Sequence, residues 1–389
     1  MKCLILRVLA VLIAASAGQA IAAGADCATW GGTLLKWPAA APVWEMCWVR
    51  PSQSVASDGS GLELRDVHYK GILVAKRLHA PILFAEYRGS STCYRDWKDA
   101  NANFAATPPV RNQLGVPGTF IATTTCDVSN AATASYQNCP WNTLPGSTFT
   151  SADCIGGAGG VAIEDMGDHV VLTTQYSASW YQYTSRYAFW ENGDIQPEFG
   201  FGNSNGTNNN LTHWHHNYWR FDFDIDGSDN NEIRANGVPQ STEFTGLRSL
   251  TGGPGGGVTY WDVVTTKGGF GYRIVSGNGD YTPANESGRN FHTVDVIGSR
   301  FINNEYADRA NNNLGDCEMQ AGNIANGQSI ADTDVVFWYR TSVRDANGNN
   351  WPPNCSGASC EPQNSMVCKS GGPTMTRIGD WPIYRNGFE

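Results

Sequence analysis

The sequence has little charge, no cluster of basic residues and no long apolar run beyond its N-terminal segment. Only 16% of its 389 residues are Asp, Glu, Lys or Arg, and the formal net charge is −10. Because no segment concentrates Lys or Arg, the composition argues against a nucleic-acid partner. Because no later segment offers the ~20 consecutive apolar residues that a membrane-spanning helix needs, we also expect no membrane partner.

Amphipathic helical periodicity is scarce, and no internal repeat or Pro-rich hinge divides the chain. Glycine is abundant at 44 residues, and hydrophobic residues make up 41% of the sequence. Runs of β-forming residues alternate with turn signals such as Asn192-Gly193 and Asp226-Gly227. The runs predicted to form strands are 71–75, 81–85, 169–174, 218–225, 272–275 and 334–339. The fold class we predict is all-β, a large antiparallel β-sandwich.

The predicted sandwich domain covers residues 61–353. Residues 24–60 would form a lead-in segment, and residues 354–389 a Cys-rich tail with little strand structure. Residues 1–23 combine basic, apolar and small residues in the order of a cleavable signal peptide. We therefore expect the mature protein to be secreted or periplasmic.

The cysteines agree with export. The sequence has 11 cysteines, and one of them, Cys3, lies in the expected signal peptide. The even number that remains predicts up to five disulfide bonds in an oxidising compartment, with the connectivity left open. No Cys-x-x-Cys pair is present, which disfavours a thiolate metal site.

Three of the seven histidines lie close together, at His213, His215 and His216. Side chains on a strand alternate between its two faces, so His213 and His215 would point to the same side. Two imidazoles placed in this way can bind one metal ion. A role as ordinary surface or core histidines remains the alternative.

A short acidic repeat follows, with Asp222, Asp224 and Asp226 at every second position before Gly227. An EF-hand loop would need a Glu at its twelfth position, where this chain has Ile233. Two interpretations remain open. The repeat is either a strand that ends in an Asp-Gly turn, or a hard-cation site built on Asp222 and Asp224.

Several motifs together resemble one known family, the copper-containing amine oxidases, whose topaquinone cofactor is made from one of their own tyrosines. The cofactor motif of that family resembles Trp180-Tyr181-Gln182-Tyr183 with Asn192-Gly193. Its copper motif resembles His213-Trp214-His215 with Arg220-Phe221-Asp222. Further matches lie at 305–308, at 334–338 and at 77–87, which ends in the tyrosine matching the family's active-site tyrosine. The resemblance covers roughly residues 60–353 and implies the β-sandwich of the family's catalytic domain.

The resemblance implies a redox site. It places copper on His213 and His215 and derives topaquinone from Tyr181. Tyr87 would hydrogen-bond the quinone. Asp99 would be the general base that removes a proton from the substrate, with Asp96 as the alternative.

The resemblance also exposes departures from the family pattern. Asp345 stands where the family has its third copper histidine, so the implied copper ligands are His213, His215 and Asp345. His292 is an alternative third ligand. Trp180 replaces an asparagine, and Gln182 replaces an acidic residue.

A second, peripheral metal site is implied as well. Asp222, Asp224 and Asp334 match the family's calcium or manganese ligands, together with the backbone carbonyls of Phe223 and Val335. Carboxylates and carbonyls suit such hard cations.

Three functions follow as hypotheses. The first is an exported homodimeric oxidase that uses O2 to convert a primary amine to an aldehyde, ammonia and hydrogen peroxide. The second is a metal-binding or structural protein on the same scaffold that has lost the redox step. The third is a metal-dependent hydrolase or oxygenase, since two histidines and a carboxylate can form a facial triad.

Overall fold

The structure is a computed structural model that describes residues 24–49, 54–55, 61–89, 93–95, 104–107, 119–122, 161–178, 181–203, 212–249, 257–277, 294–302, 324–345 and 367–382. Within these ranges helix is confined to one α-helical turn, α1 (Cys27–Trp30), one 3-10 turn (Ser228–Asn230) and the single helical position Ile324. None of the helices in this part of the chain is both long and apolar enough to traverse a membrane. Nearly all of the regular structure is β-strand, which confirms the predicted all-β class.

The described strands form two antiparallel sheets. The first sheet contains β1 (Thr33–Trp37), β2 (Trp44–Val49), β3 (Glu63–Tyr69), β4 (Ile72–Tyr87), β5 (Cys93–Arg95), β12 (His213–Phe223), β15 (Phe244–Gly246), β18 (Val296–Arg300) and β19 (Val335–Asp345). The second contains β6 (Phe104–Thr107), β7 (Thr119–Ala122), β8 (Ala162–Asp165), β9 (His169–Ala178), β10 (Tyr181–Trp190), β11 (Ile195–Asn203), β13 (Asn231–Ala235), β14 (Val238–Pro239), β16 (Tyr260–Thr265), β17 (Gly271–Ser276), β20 (Val367–Gly371) and β21 (Pro373–Ile378).

Strand β12 lies at the centre of the first sheet, between β4 and β19. All of its 11 residues are buried, so both of its faces are covered. One face, which carries Trp219, Phe221 and Phe223, belongs to the main core. The other carries Tyr218, which packs in a smaller cluster with Phe84 and other residues. The central position of β12 explains why polar residues on it cannot be ordinary surface residues.

The two sheets pack face to face through aromatic side chains. Trp44 of β2 contacts Phe189 of β10, with ring centroids 4.9 Å apart. Its indole Nε1 also donates a hydrogen bond to the carbonyl oxygen of Trp190, at 2.8 Å. Trp219 and Tyr187 meet edge to face at 5.3 Å. These contacts hold the two sheets against each other as the predicted β-sandwich.

Two expectations about strands need correction. The segments predicted separately at 71–75 and 81–85 belong to the single 16-residue strand β4. The tail was expected to have little strand structure, which is wrong for residues 367–378. There β20 pairs with β11, and β21 pairs with β17 and β11. Strand β21 lies between β17 and β11 in the second sheet, and β20 pairs along β11, so both are stabilised by sheet pairing rather than by their own sequence pattern.

The described residues define one complete disulfide bond, between Cys27 and Cys47. Cys93 is also disulfide-bonded. Both observations agree with the expectation of disulfides, and the remaining pairs stay a prediction. The expected signal peptide, residues 1–23, lies outside the described residues.

Candidate functional site

His213 and His215 lie on the same face of β12, as their spacing predicts. Both are fully buried, and their ring centroids are 4.9 Å apart in an edge-to-face arrangement. We call these two residues the histidine pair. They point toward the second sheet, because His215 contacts Tyr183 and Phe201 on β10 and β11.

His215 is held on two sides. The ring of Phe201 stacks on the imidazole with centroids 3.7 Å apart, and the hydroxyl of Tyr183 lies 2.8 Å from Nδ1. Burial lowers the pKa of His215 well below its usual value, and the neighbouring charges of His213 and His216 lower it further. The imidazole is therefore neutral at physiological pH, which is the form that binds a metal.

The neighbouring strands bring two predicted residues to His213. In the sheet register, His213 lies opposite Tyr87 of β4 and opposite Asp345 of β19. The Tyr87 ring stacks on His213 with centroids 4.7 Å apart and planes at 18°. For Asp345 the structure describes the backbone, which stands next to His213 at the last position of β19.

Tyr181 begins β10, the strand that faces β12 across the core. Two contacts, Tyr183 with His215 and Tyr187 with Trp219, join residues that are 32 positions apart. If the same offset continues to the start of β10, position 181 lies across the core from position 213. The structure describes only the backbone of Tyr181, paired with Ala178 and Asn203. Asp99, Asp96, His292 and the 305–308 motif lie outside the described residues.

His216 points to the opposite face of β12 and does not join the histidine pair. Its Nε2 lies 2.9 Å from a carboxylate oxygen of Glu86, and its Nδ1 lies 2.9 Å from the hydroxyl of Ser342. Arg340 also contacts Nδ1 and pairs with Asp295. Sequence reasoning missed this buried network, since its members come from four strands or loops that are distant in the chain.

The other end of β12 carries the acidic cluster, which consists of Asp222, Asp224 and Asp334. One ligand atom from each residue lies within 4.8 Å of the other two. Asp222 is the penultimate residue of β12, is fully buried and accepts a hydrogen bond from Arg220 at 3.1 Å. Asp334 immediately precedes β19, and the β12–β19 register, extended by one residue, sets it opposite Asp224. The structure thus brings together the three carboxylates that were predicted to share a site.

The acidic cluster is electrostatically unfavourable even though the cations of Arg220 and Lys76 act on it. Burial, with the charges of Asp222 and Asp334, raises the pKa of Asp224 to about 8. Burial and Asp222 raise the pKa of Asp334 to about 7. In addition, Oδ1 of each of the three residues has no hydrogen-bond partner among the described residues. Three converging carboxylate oxygens without donors suit a hard divalent cation.

No protein-family model matches the chain, and no curated protein matches it. Solved structures do match it. A lysyl oxidase from Pichia pastoris aligns with a TM-score of 0.53 and 13% identity, over 86% of this chain and 51% of that chain. An amine oxidase from Aspergillus nidulans aligns with a TM-score of 0.50 and 14% identity, over 86% and 50%.

A copper-containing benzylamine oxidase from Hansenula polymorpha aligns with a TM-score of 0.50 and 11% identity, over 97% of this chain and 63% of that chain. The chain spans about half the length of the first two structures. At these identities the likeness concerns the fold. The chain shares its fold with the copper amine oxidases, which confirms at that level the resemblance found in its sequence.

Proposed function

We propose that this chain, which has the fold of the copper amine oxidases, is itself a copper-dependent primary-amine oxidase. In this proposal it oxidises a primary amine with O2 to an aldehyde, ammonia and hydrogen peroxide. The observation that carries the proposal is the histidine pair, buried between the sheets with a tyrosine-bearing strand facing it. A sandwich needs no imidazoles at this place to stay folded.

The residues around the pair fit copper. Imidazole is a preferred ligand of copper, and burial keeps His215 neutral. We propose Asp345 as the third ligand, because its backbone stands opposite His213. Copper held there would supply the redox chemistry that converts Tyr181 to topaquinone and that supports amine oxidation.

The chain's own residues have the following proposed roles. Tyr181 is the cofactor precursor, supported by the alignment of β10 over β12. Tyr87, whose ring lies against His213, orients the cofactor by a hydrogen bond. Asp99 is proposed as the base that takes the α-proton of the amine.

A second cation is proposed at the acidic cluster. The three carboxylates, with the backbone carbonyls of Phe223 and Val335, would bind calcium or manganese. The support is the raised pKa of Asp224 and the unpartnered oxygens. A cation there would remove the repulsion between the carboxylates at the end of β12.

We further propose an exported homodimer without nucleic-acid or membrane partners. The Cys27–Cys47 disulfide supports an oxidising compartment, as does the signal-like N-terminus. The dimer follows from the family resemblance alone.

The test of the proposed activity is the chemical state of Tyr181. The protein is expressed without copper, copper is added in air, and the peptide containing Tyr181 is analysed by mass spectrometry. A phenylhydrazine absorbance assay on the same sample detects a quinone. We expect a gain of oxygen on Tyr181 and a positive assay, after which peroxide release is screened with primary amines.

An unmodified Tyr181 in a chain that binds copper tightly would overturn the oxidase proposal and favour a metal-binding scaffold. The metal itself provides a second criterion. Native protein that carries iron or zinc instead of copper would favour the hydrolase or oxygenase hypothesis.

A further inference from the structure

The hydroxyl of Tyr183 hydrogen-bonds to His215 of the histidine pair, and neither the sequence motifs nor their spacing gives Tyr183 a role. Its hydroxyl lies 2.8 Å from Nδ1 of His215, and its side chain is 1% exposed. The ring of Tyr183 is itself packed against Phe199, with centroids 5.6 Å apart. The phenol is therefore fixed in place when it meets the imidazole.

The hydrogen bond can be made in two ways, and they have opposite consequences. If the phenol donates to Nδ1, the proton of the neutral imidazole sits on Nε2, and that nitrogen cannot bind a metal. If Nδ1–H donates to the phenol oxygen, the lone pair is on Nε2, and that nitrogen can bind a metal. In either case Nδ1 is occupied by the phenol, so a metal must bind through Nε2.

The imidazole of His215 also has little freedom to flip. Phe201 covers one face of the ring at 3.7 Å, and the His213 ring stands against it at 4.9 Å. A ring flip would bring a carbon to the phenol oxygen and lose the buried hydrogen bond, which is unfavourable because the polar groups would be left without a partner. The packing and the phenol together specify one orientation.

We propose that Tyr183 is a positioning residue that accepts a hydrogen bond from Nδ1–H of His215 and thereby presents Nε2 to copper. The inference rests on the proposed copper site and deepens it. It assigns to the second tyrosine of the Tyr181-Gln182-Tyr183 segment a role distinct from that of the first. Tyr181 is the residue to be oxidised, whereas Tyr183 orients a ligand.

The test compares Tyr183→Phe with Tyr187→Phe in the full chain. Tyr187 is the matched control, since it lies on the same face of β10, is fully buried and packs on Trp219 rather than on a histidine. Its hydroxyl has no hydrogen-bond partner among the described residues. Each substitution removes one oxygen from an otherwise identical ring, and thermal unfolding of the metal-free proteins checks that both variants fold.

Two readouts are measured, namely the affinity for Cu(II) in competition with a chelator and the electron paramagnetic resonance spectrum of bound Cu(II). Loss of a hydrogen-bond partner of a metal-binding histidine typically weakens metal binding by about 10–100-fold. We expect this loss and an altered spectrum in Y183F, and wild-type values in Y187F. The conversion of Tyr181, followed by mass spectrometry, should slow in Y183F only.

The outcomes separate this inference from the proposed function. If the wild type binds copper and Y183F matches it in affinity and spectrum, the positioning role is wrong and the copper site stands. If the wild type binds no copper, the proposed function fails and the positioning role fails with it. If wild-type copper shows a visible phenolate-to-copper absorption band that Y183F lacks, Tyr183 is a ligand and the positioning role is overturned.

Discussion

Strand β12 carries a candidate metal site at each end, and the two sites differ in chemistry and in assembly. The histidine pair consists of two buried, aromatic-packed imidazoles on the face that meets the second sheet, and burial keeps His215 neutral. The acidic cluster consists of three carboxylates that repel one another, and it includes a residue from the segment before β19. One strand thus offers borderline-soft nitrogen donors at one end and hard oxygen donors at the other.

The difference shows how each site can tolerate the absence of a metal. Neutral imidazoles that stack on aromatic rings are stable in a core without any ion. Buried carboxylates are not, because a charge removed from water must be paired or neutralised. Under the proposals above, the acidic cluster would gain stability from a cation, whereas the histidine pair would use a metal for chemistry.

The largest expected effect is loss of copper when both imidazoles of the pair are removed. In His213→Ala/His215→Ala only the Asp345 position remains of the proposed ligand set. We expect copper binding to weaken by more than the roughly 10–100-fold of an outer-shell change, and Tyr181 to stay unmodified. Metal analysis after dialysis measures the first effect and peptide mass spectrometry the second.

The control for this prediction comes from the other end of the strand. Asp224→Asn changes the acidic cluster and leaves the pair intact, so its copper content should equal that of the wild type. If the double variant retained full copper, the metal would bind elsewhere and the division between the two ends of β12 would be wrong.

The second prediction concerns the pH dependence of stability in the presence of a chelator. The pKa of Asp224 is raised from 3.8 to about 8 in the folded protein, so the folded state holds a proton that the unfolded state has released. The contribution of Asp224 to the free energy of unfolding is therefore greatest below about pH 4. It falls as the pH rises toward 8. Asp334, with its pKa raised to about 7, acts in the same direction.

The slope for one retained proton is about 1.4 kcal/mol per pH unit. Denaturant unfolding at pH 5, 6 and 7 should therefore show the free energy of unfolding of the metal-free protein falling by roughly 3 kcal/mol from Asp224 alone, with Asp334 adding to the fall. Saturating calcium should flatten this dependence. A metal-free protein whose stability rises over the same pH range would contradict the charge repulsion that we infer at the cluster.

The sequence predicted those parts of the molecule that depend on local spacing. Alternation places His213 and His215 on one face, and the Asp226-Gly227 turn follows β12 as expected, with both residues at positive φ. The same alternation puts Tyr181 and Tyr183 on one face. This two-residue spacing is visible in the sequence and could have predicted that Tyr183, like Tyr181, faces the histidine pair.

Contacts between distant segments could not be predicted from spacing. The links of His216 to Glu86 and Ser342 span 130 and 126 residues. The tail strand β21 is defined by its pairing with β17 and β11, and its own alternation is too short to indicate a strand. Asp334 entered the acidic cluster through the family resemblance, because nothing local connects it to Asp222.

The smallest expected effect is stabilisation by calcium at about ten times its dissociation constant. Binding at that concentration adds about 1.4 kcal/mol to the free energy of unfolding, which would raise Tm by a few degrees. Asp224→Asn should abolish the shift, since it removes one of three cation-binding carboxylates.

The matched control is Asp226→Asn, two residues away in the same turn and outside the cluster. Asparagine tolerates the positive φ of 56° at that position, so D226N should keep the wild-type calcium shift. Equal shifts in D224N and the wild type would place the cation elsewhere, and the acidic end of β12 would then have to be stabilised by protonation alone.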